Sequence, residues 1–230
     1  MSDNSTVHRF NALEFWLVVG LAFGLATVAS ILALLGGPVV GQPAAAASFA
    51  RNSLGGVLES ELIVACFLIA ALRHGGWRLQ DFNFFPSWRT TLLGVVVAIV
   101  VILAFSLLAL FAQPFLGSAS GHAARLPALG QLETGGALLV LSAAVVDPLY
   151  EEMLVCAYVI ETLRGRFGAH FAINASVAIR VAFHAYQGPT ALLQFAALGL
   201  LFAYCYSRWR NVWPLVVAHG LLDFIGLAGH

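Results

Sequence analysis

The stretch Thr91–Phe111 reads TLLGVVVAIVVILAFSLLALF and carries no charge. As an α-helix rising ~1.5 Å per residue it would be about 30 Å long, which is the thickness of a bilayer's hydrocarbon core. Working outward, six further apolar stretches resemble it: Leu13–Leu35, Leu54–Leu72, Thr134–Leu163, Phe171–Tyr186, Thr190–Tyr206 and Val212–Ala228. The breaks between them carry turn residues, among them Gly36-Gly37-Pro38, Gly75-Gly76, Pro86, the Gly117–Pro127 segment, Gly165 to Gly168 and Gly188-Pro189. Asn11 and Glu14 are placed to cap the first span, while Thr134 and Gly165 are placed to open and close the fourth. The expected fold is an all-α, polytopic transmembrane bundle of about seven spans. An eighth would require the long fourth segment or the region 117–133 to re-enter the membrane. Residues 1–230 read as one transmembrane domain, with apolar N-terminal spans over 13–113 and motif-bearing spans over 134–228.

Composition agrees with this reading. Hydrophobic residues make up 60% of the 230, charged residues 10%, and the mean hydropathy is +0.90. A soluble domain carries roughly 25% charged residues, so a water-facing surface cannot be built here. Eleven arginines balance eleven acidic residues and there is no lysine. A basic nucleic-acid face and an acidic tail are both excluded. Cys66, Cys156 and Cys205 lie in apolar runs without ligand spacing and read as small core residues. The first apolar run is longer than a signal-peptide core and is expected to stay as an uncleaved span.

Numbering the connections from an inside N-terminus places eight arginines inside (Arg9, Arg73, Arg78, Arg89, Arg164, Arg166, Arg208 and Arg210). Only Arg51 and Arg125 then lie outside. That asymmetry predicts an integral protein of a bacterial-type plasma membrane, N-terminus cytoplasmic and C-terminus outside. Trp16, Trp77, Trp88, Trp209 and Trp213 fall near span ends, as an interfacial aromatic belt would.

Ionisable residues inside spans are costly unless paired or hydrated, so they carry the functional information. The fourth span holds Asp147-Pro148-Leu149-Tyr150-Glu151-Glu152, the fifth Arg180 and His184, and the seventh His219 and Asp223. Asp147 with Glu151, Arg180 with His184, and His219 with Asp223 are each spaced i,i+4 and share a helix face. Glu151 and Glu152 differ by about 100° of helical rotation, so one can face a cavity while the other braces a neighbouring helix. Pro148 removes a backbone donor and is expected to kink the fourth span. Counted from the inside ends, Glu151 lies ~18 Å deep, His184 ~20 Å, Asp223 ~16 Å and His219 ~10 Å. Three spans therefore bring polar groups to one layer. Glu59 and Glu61, near the outer end of the second span, read as hydrated or packing residues. His8, His74, His122, His170 and His230 fall in loops or termini.

A carboxylate and an imidazole flanking a water make a hydrolytic site, one group taking the proton and others binding the developing oxyanion. Glu151, His184 and His219 also supply the donor types of a catalytic zinc site. No H-E-x-x-H pair stands on one helix, so metal-free chemistry is expected and no cofactor is required.

These residues resemble the CPBP family of intramembrane proteases, the CAAX-protease and bacteriocin-processing group. The resemblance rests on Glu151-Glu152, on Arg180-Val181-Ala182-Phe183-His184, and on His219-Gly220-Leu221-Leu222-Asp223 with its lead-in Trp213-Pro214-Leu215-Val216-Val217-Ala218. It covers about 100 residues from Leu141 onward; the first three spans share only their apolarity. It implies an intramembrane endopeptidase in which Glu151 and His184 activate water, Glu152 supports them, and His219 with Asp223 stabilises the oxyanion. The implied partners are membrane lipid and membrane-associated protein or peptide substrates, prenylated ones included. Two positions depart from the family's pattern. Cys156 stands where the first motif carries arginine, and Arg180 stands where the second carries phenylalanine, so Arg180 is read as supplying that cation from another span. Two other readings are kept beside it: a non-catalytic scaffold or immunity-type protein, and a proton-coupled transporter.

Overall fold

The computed structural model describes residues 10–36, 43–116, 134–187 and 189–228, and regular structure among them is entirely helical. Helix is what apolar chain must form in lipid, where backbone groups find no water to bond. α1 (Ala12–Val19) passes through a π-helical turn (Gly20–Gly24) into α2 (Leu25–Gly36). α3 spans Pro43–His74 and α4 spans Trp88–Leu116, joined by a short 3-10 turn at Leu79–Phe82. α5 (Thr134–Glu151) becomes a π-helix over Glu152–Tyr158 and continues as α6 (Val159–Phe167). α7 (Ala169–Phe183), α8 (Pro189–Trp209) and α9 (Trp213–Ala228) follow.

Three stretches are long and apolar enough to cross a membrane: Ala12–Leu32, Leu54–His74 and Trp88–Leu107. Ala169–Phe183 and Trp213–Leu227 are apolar but shorter. Large apolar side chains face outward on the first helices, with Leu25 81%, Leu13 70% and Phe67 68% exposed, as a lipid-contacting surface requires. The core is gathered instead around the π-segment and α6, where Val155, Cys156, Ala157, Tyr158, Val159 and Ile160 are wholly buried.

Several local expectations are corrected. Asn11 does cap α1, its Oδ1 accepting from the N–H of Leu13 (3.0 Å) and Glu14 (3.4 Å). Glu14, however, reaches across to accept from the Trp77 indole N–H (2.8 Å) and the Tyr158 hydroxyl (3.4 Å). Trp77 is thereby buried inside the bundle and leaves the predicted belt, while Trp213 donates to Thr91 Oγ1 at 2.9 Å. Trp16 and Trp88 do face outward. Gly165 lies within α6, which ends at Gly168, whose φ of 83° suits glycine alone. The fifth span stops at Phe183, short of Tyr186, because Pro189 is near and the Tyr186 N–H turns away to donate to Ser30 Oγ at 2.7 Å. Cys66 is exposed on the outer face of α3 and is no core residue. The suggested re-entry at 117–133 lies outside the described residues.

An irregularity does follow Pro148, as a widening of the helix. Pro148 has no N–H to give the carbonyl four residues back, which is that of Ala144. α5 runs on through it and widens into the π-helix a turn later. Opposite the freed carbonyl stands Gly220 of α9, where a Cβ would lie 2.5 Å from Ala144 O and 3.7 Å from Pro148 Cγ. Only glycine allows α9 to approach this closely. Gly94 plays the same part between α4 and α9, with Pro214 O at 2.6 Å from its would-be Cβ. Gly220→Ala is expected to push α9 away from α5 and destabilise the fold by about 1–3 kcal/mol. The thermal midpoint of the detergent-purified variant measures this, and an unchanged midpoint would refute the close-approach account.

Candidate active site

Arg180 of α7 is completely buried and organises the site. Its Nη2 donates to both carboxylate oxygens of Glu152 at 2.7 Å, and its Nη1 donates to Glu151 Oε2 at 3.2 Å. The Phe202 ring of α8 stands 5.7 Å from the guanidinium carbon, within cation–π range. Cys156 Sγ lies 3.9 Å from the same Nη2. The guanidinium therefore occupies the neighbourhood of position 156, where the family's first motif carries its own arginine.

His219 joins the same carboxylate from α9. Its Nδ1 is 2.8 Å from Glu152 Oε1, and its Nε2 is 3.5 Å from Asp223 Oδ1, one turn on along the same helix. The close approach through Gly220 positions this residue, since His219 and Gly220 are neighbours on α9. Glu152 thus holds Arg180 with two oxygens and His219 with one of them. Glu151 keeps one contact, to Arg180, and is slightly more open than the wholly buried Glu152. The two neighbours, about 100° apart around the helix, both reach the one guanidinium.

His184 sits at the C-cap of α7, one turn past Arg180, and its backbone N–H donates to the Arg180 carbonyl at 3.3 Å. Its ring is held by Phe195 (centroids 3.7 Å) and Phe183 (4.5 Å). Its buried Nδ1 has no hydrogen-bond partner among the described residues. The same holds for Arg180 Nε and Asp223 Oδ2. Buried polar atoms are normally paired, and among the described residues these three are not.

One acidic residue was missed from the site. Glu61 of α3 has Asp147, Glu151 and Asp223 as its electrostatic neighbours, and its Oε2 is buried without a partner among the described residues. A second span read as starting at Leu54 puts Glu61 at the membrane surface. The apolar stretch does start at Leu54, but Glu61 stands two turns inside it, beside carboxylates of α5 and α9. Glu59, by contrast, is exposed as expected.

Glu151, Glu152 and His219 each offer a donor atom, all within 4.8 Å of one another, a set from which a divalent cation could be bound. It differs from the expected zinc set by having Glu152 in place of His184. The donor set does not fit a dication alongside Arg180, because the guanidinium already stands on three of the carboxylate contacts such an ion would use.

Apolar helices around a buried carboxylate, imidazole and guanidinium centre define a membrane protein whose polar residues are gathered inside it. Residues 133–225 match the family model described as Type II CAAX prenyl endopeptidase Rce1-like, a protease family. The match covers the part of the chain that carries the three motifs and bears out their likeness to the CPBP group of CAAX proteases. No curated protein and no solved structure matches the chain.

Proposed function

We propose that the protein is an intramembrane endopeptidase that hydrolyses a peptide bond of a membrane-associated substrate by activating water, without a metal. The observation that carries this is the convergence of Glu151, Glu152 and His219 within 4.8 Å, with Arg180 bridging the two glutamates. Glu151 is the general base, being the less enclosed of the pair. His184 holds the attacking water through its unpartnered ring nitrogen. The water loses a proton to Glu151 and its oxygen bonds to the carbonyl carbon. His219 keeps Nδ1 on Glu152 and turns its Nε2–H, whose 3.5 Å approach to Asp223 is the looser of the two, to donate to the resulting oxyanion. The C–N bond then breaks and Glu151 returns the proton to the leaving nitrogen. Prenylated proteins and peptides are the proposed substrate class. In the membrane the chain is proposed to cross about seven times, N-terminus inside, as its arginine distribution indicates.

One observation favours a second reading. The contact between Arg180 Nη1 and Glu151 ties up the proposed base, as a non-catalytic scaffold built on this fold would allow. Incubating the purified protein with a panel of membrane-anchored peptides, prenylated and unprenylated, separates the two. Cleavage of at least one peptide, unchanged by a chelator, is expected. No cleavage across the panel supports the scaffold. Cleavage lost to the chelator and restored by zinc overturns the metal-free mechanism.

A further inference from the structure

Beside the charged centre, with Glu61 shared between the two, a cavity of about 450 Å³ lies between α3 on one side and α5 with its π-segment on the other. Leu68, Leu72, Leu149 and Met153 line it, Glu61 bounds one end, and Arg73 and Arg78 stand at the other. Glu61 and Arg73 are twelve residues apart on one helix, which makes the groove ~18 Å long. A single leaflet contributes about half of the ~30 Å hydrocarbon core. The groove therefore has the depth of one leaflet, with its guanidinium end where headgroups lie.

The two ends differ chemically. Arg73 and Arg78 are exposed, and neither guanidinium has an ion pair among the described residues. Leu62 and Ile69, both on the groove's wall, are 53% and 59% exposed, so the groove opens sideways to the surrounding lipid. An occupant needs an anionic head that two arginines can hold and an apolar tail one leaflet long. We infer that this groove holds one anionic phospholipid, its phosphate on Arg73 and Arg78 and an acyl chain laid between α3 and the π-segment toward Glu61. Juxtamembrane arginines attract anionic lipid by this means, and guanidinium matches phosphate geometry. The lipid would brace α3 against the helix that carries Glu151, independently of whether that residue catalyses anything.

Native mass spectrometry of protein taken from mixed phosphatidylglycerol and phosphatidylcholine bilayers tests this. Wild type is expected to retain one phosphatidylglycerol, preferred over phosphatidylcholine by roughly thirtyfold, the size two arginine contacts supply. Arg73→Gln with Arg78→Gln should bring the preference to near parity. Ala65→Phe, which fills the groove, should abolish retention, with thermal melting verifying that each variant is folded. Equal retention of both lipids by wild type, or a preference that survives the double substitution, overturns the inference. So does a prenylated peptide that occupies the groove while no lipid preference is seen, since the groove is then the peptide's.

Discussion

Arg180→Ala is expected to destabilise the protein by about 3–5 kcal/mol, the effect of leaving buried carboxylates without their partner. Arg180 gives Glu152 two contacts at 2.7 Å and Glu151 one at 3.2 Å. Its removal leaves two carboxylates in a region where water does not replace the lost donors. Cys156→Ala removes only a thiol 3.9 Å from the guanidinium and is expected to be far milder. The sharper form of the test returns the cation to its usual place in the family's pattern. Cys156→Arg combined with Arg180→Phe should recover much of the stability that Arg180→Ala loses, because position 156 already adjoins the carboxylate pair. Thermal midpoints of the detergent-purified variants decide it. Equal tolerance of Arg180→Ala and Cys156→Ala would refute the idea that one span supplies the charge another lacks.

The neighbouring glutamates are expected to separate stability from chemistry. Glu152→Gln should lower the thermal midpoint strongly, since the glutamate holds both Arg180 and His219, and the amide carries no charge and sets an NH2 donor where one carboxylate oxygen now accepts from Arg180. Glu151→Gln removes one 3.2 Å contact, so the fold should survive it. Its rate of peptide cleavage should instead fall by about 10²–10⁴-fold, the contribution typical of a general base. Melting curves and initial rates on the same preparations check both halves. A Glu151→Gln protein that cleaves as fast as wild type removes Glu151 from the reaction, and a Glu152→Gln protein that melts like wild type removes Glu152 from the framework.

How far the sequence reveals all this varies by element. The uncharged run at Thr91–Phe111 identifies a helix long enough to cross the bilayer, and helix α4 contains it whole. Helix-face arithmetic brings His219 to Asp223, and the separation of Glu151 from Glu152 gives each the different surroundings observed. What is not legible is tertiary. Trp77 looks like an interfacial residue by position, but its partner Glu14 lies 63 residues earlier in the chain. Glu61 looks superficial because it lies only two turns inside the apolar stretch, while its carboxylate neighbours come from α5 and α9. Pro148 announces an irregularity without saying which. Gly220 of α9 closes over the Ala144 carbonyl that Pro148 leaves without a donor, and no local pattern encodes that contact. His184 belongs to the motif by spacing, and its packing between Phe183 and Phe195 is a tertiary contact that the spacing does not announce.

Isotope tracing tests the hydrolytic account most directly. Cleavage of a membrane-anchored peptide would be run in ¹⁸O-enriched water, with wild type and Glu151→Gln in parallel. The account predicts that the wild-type product carries one solvent oxygen in its new carboxyl group and that the variant yields almost none of that product. Intact peptide with both proteins, or equal labelled product from both, would contradict it.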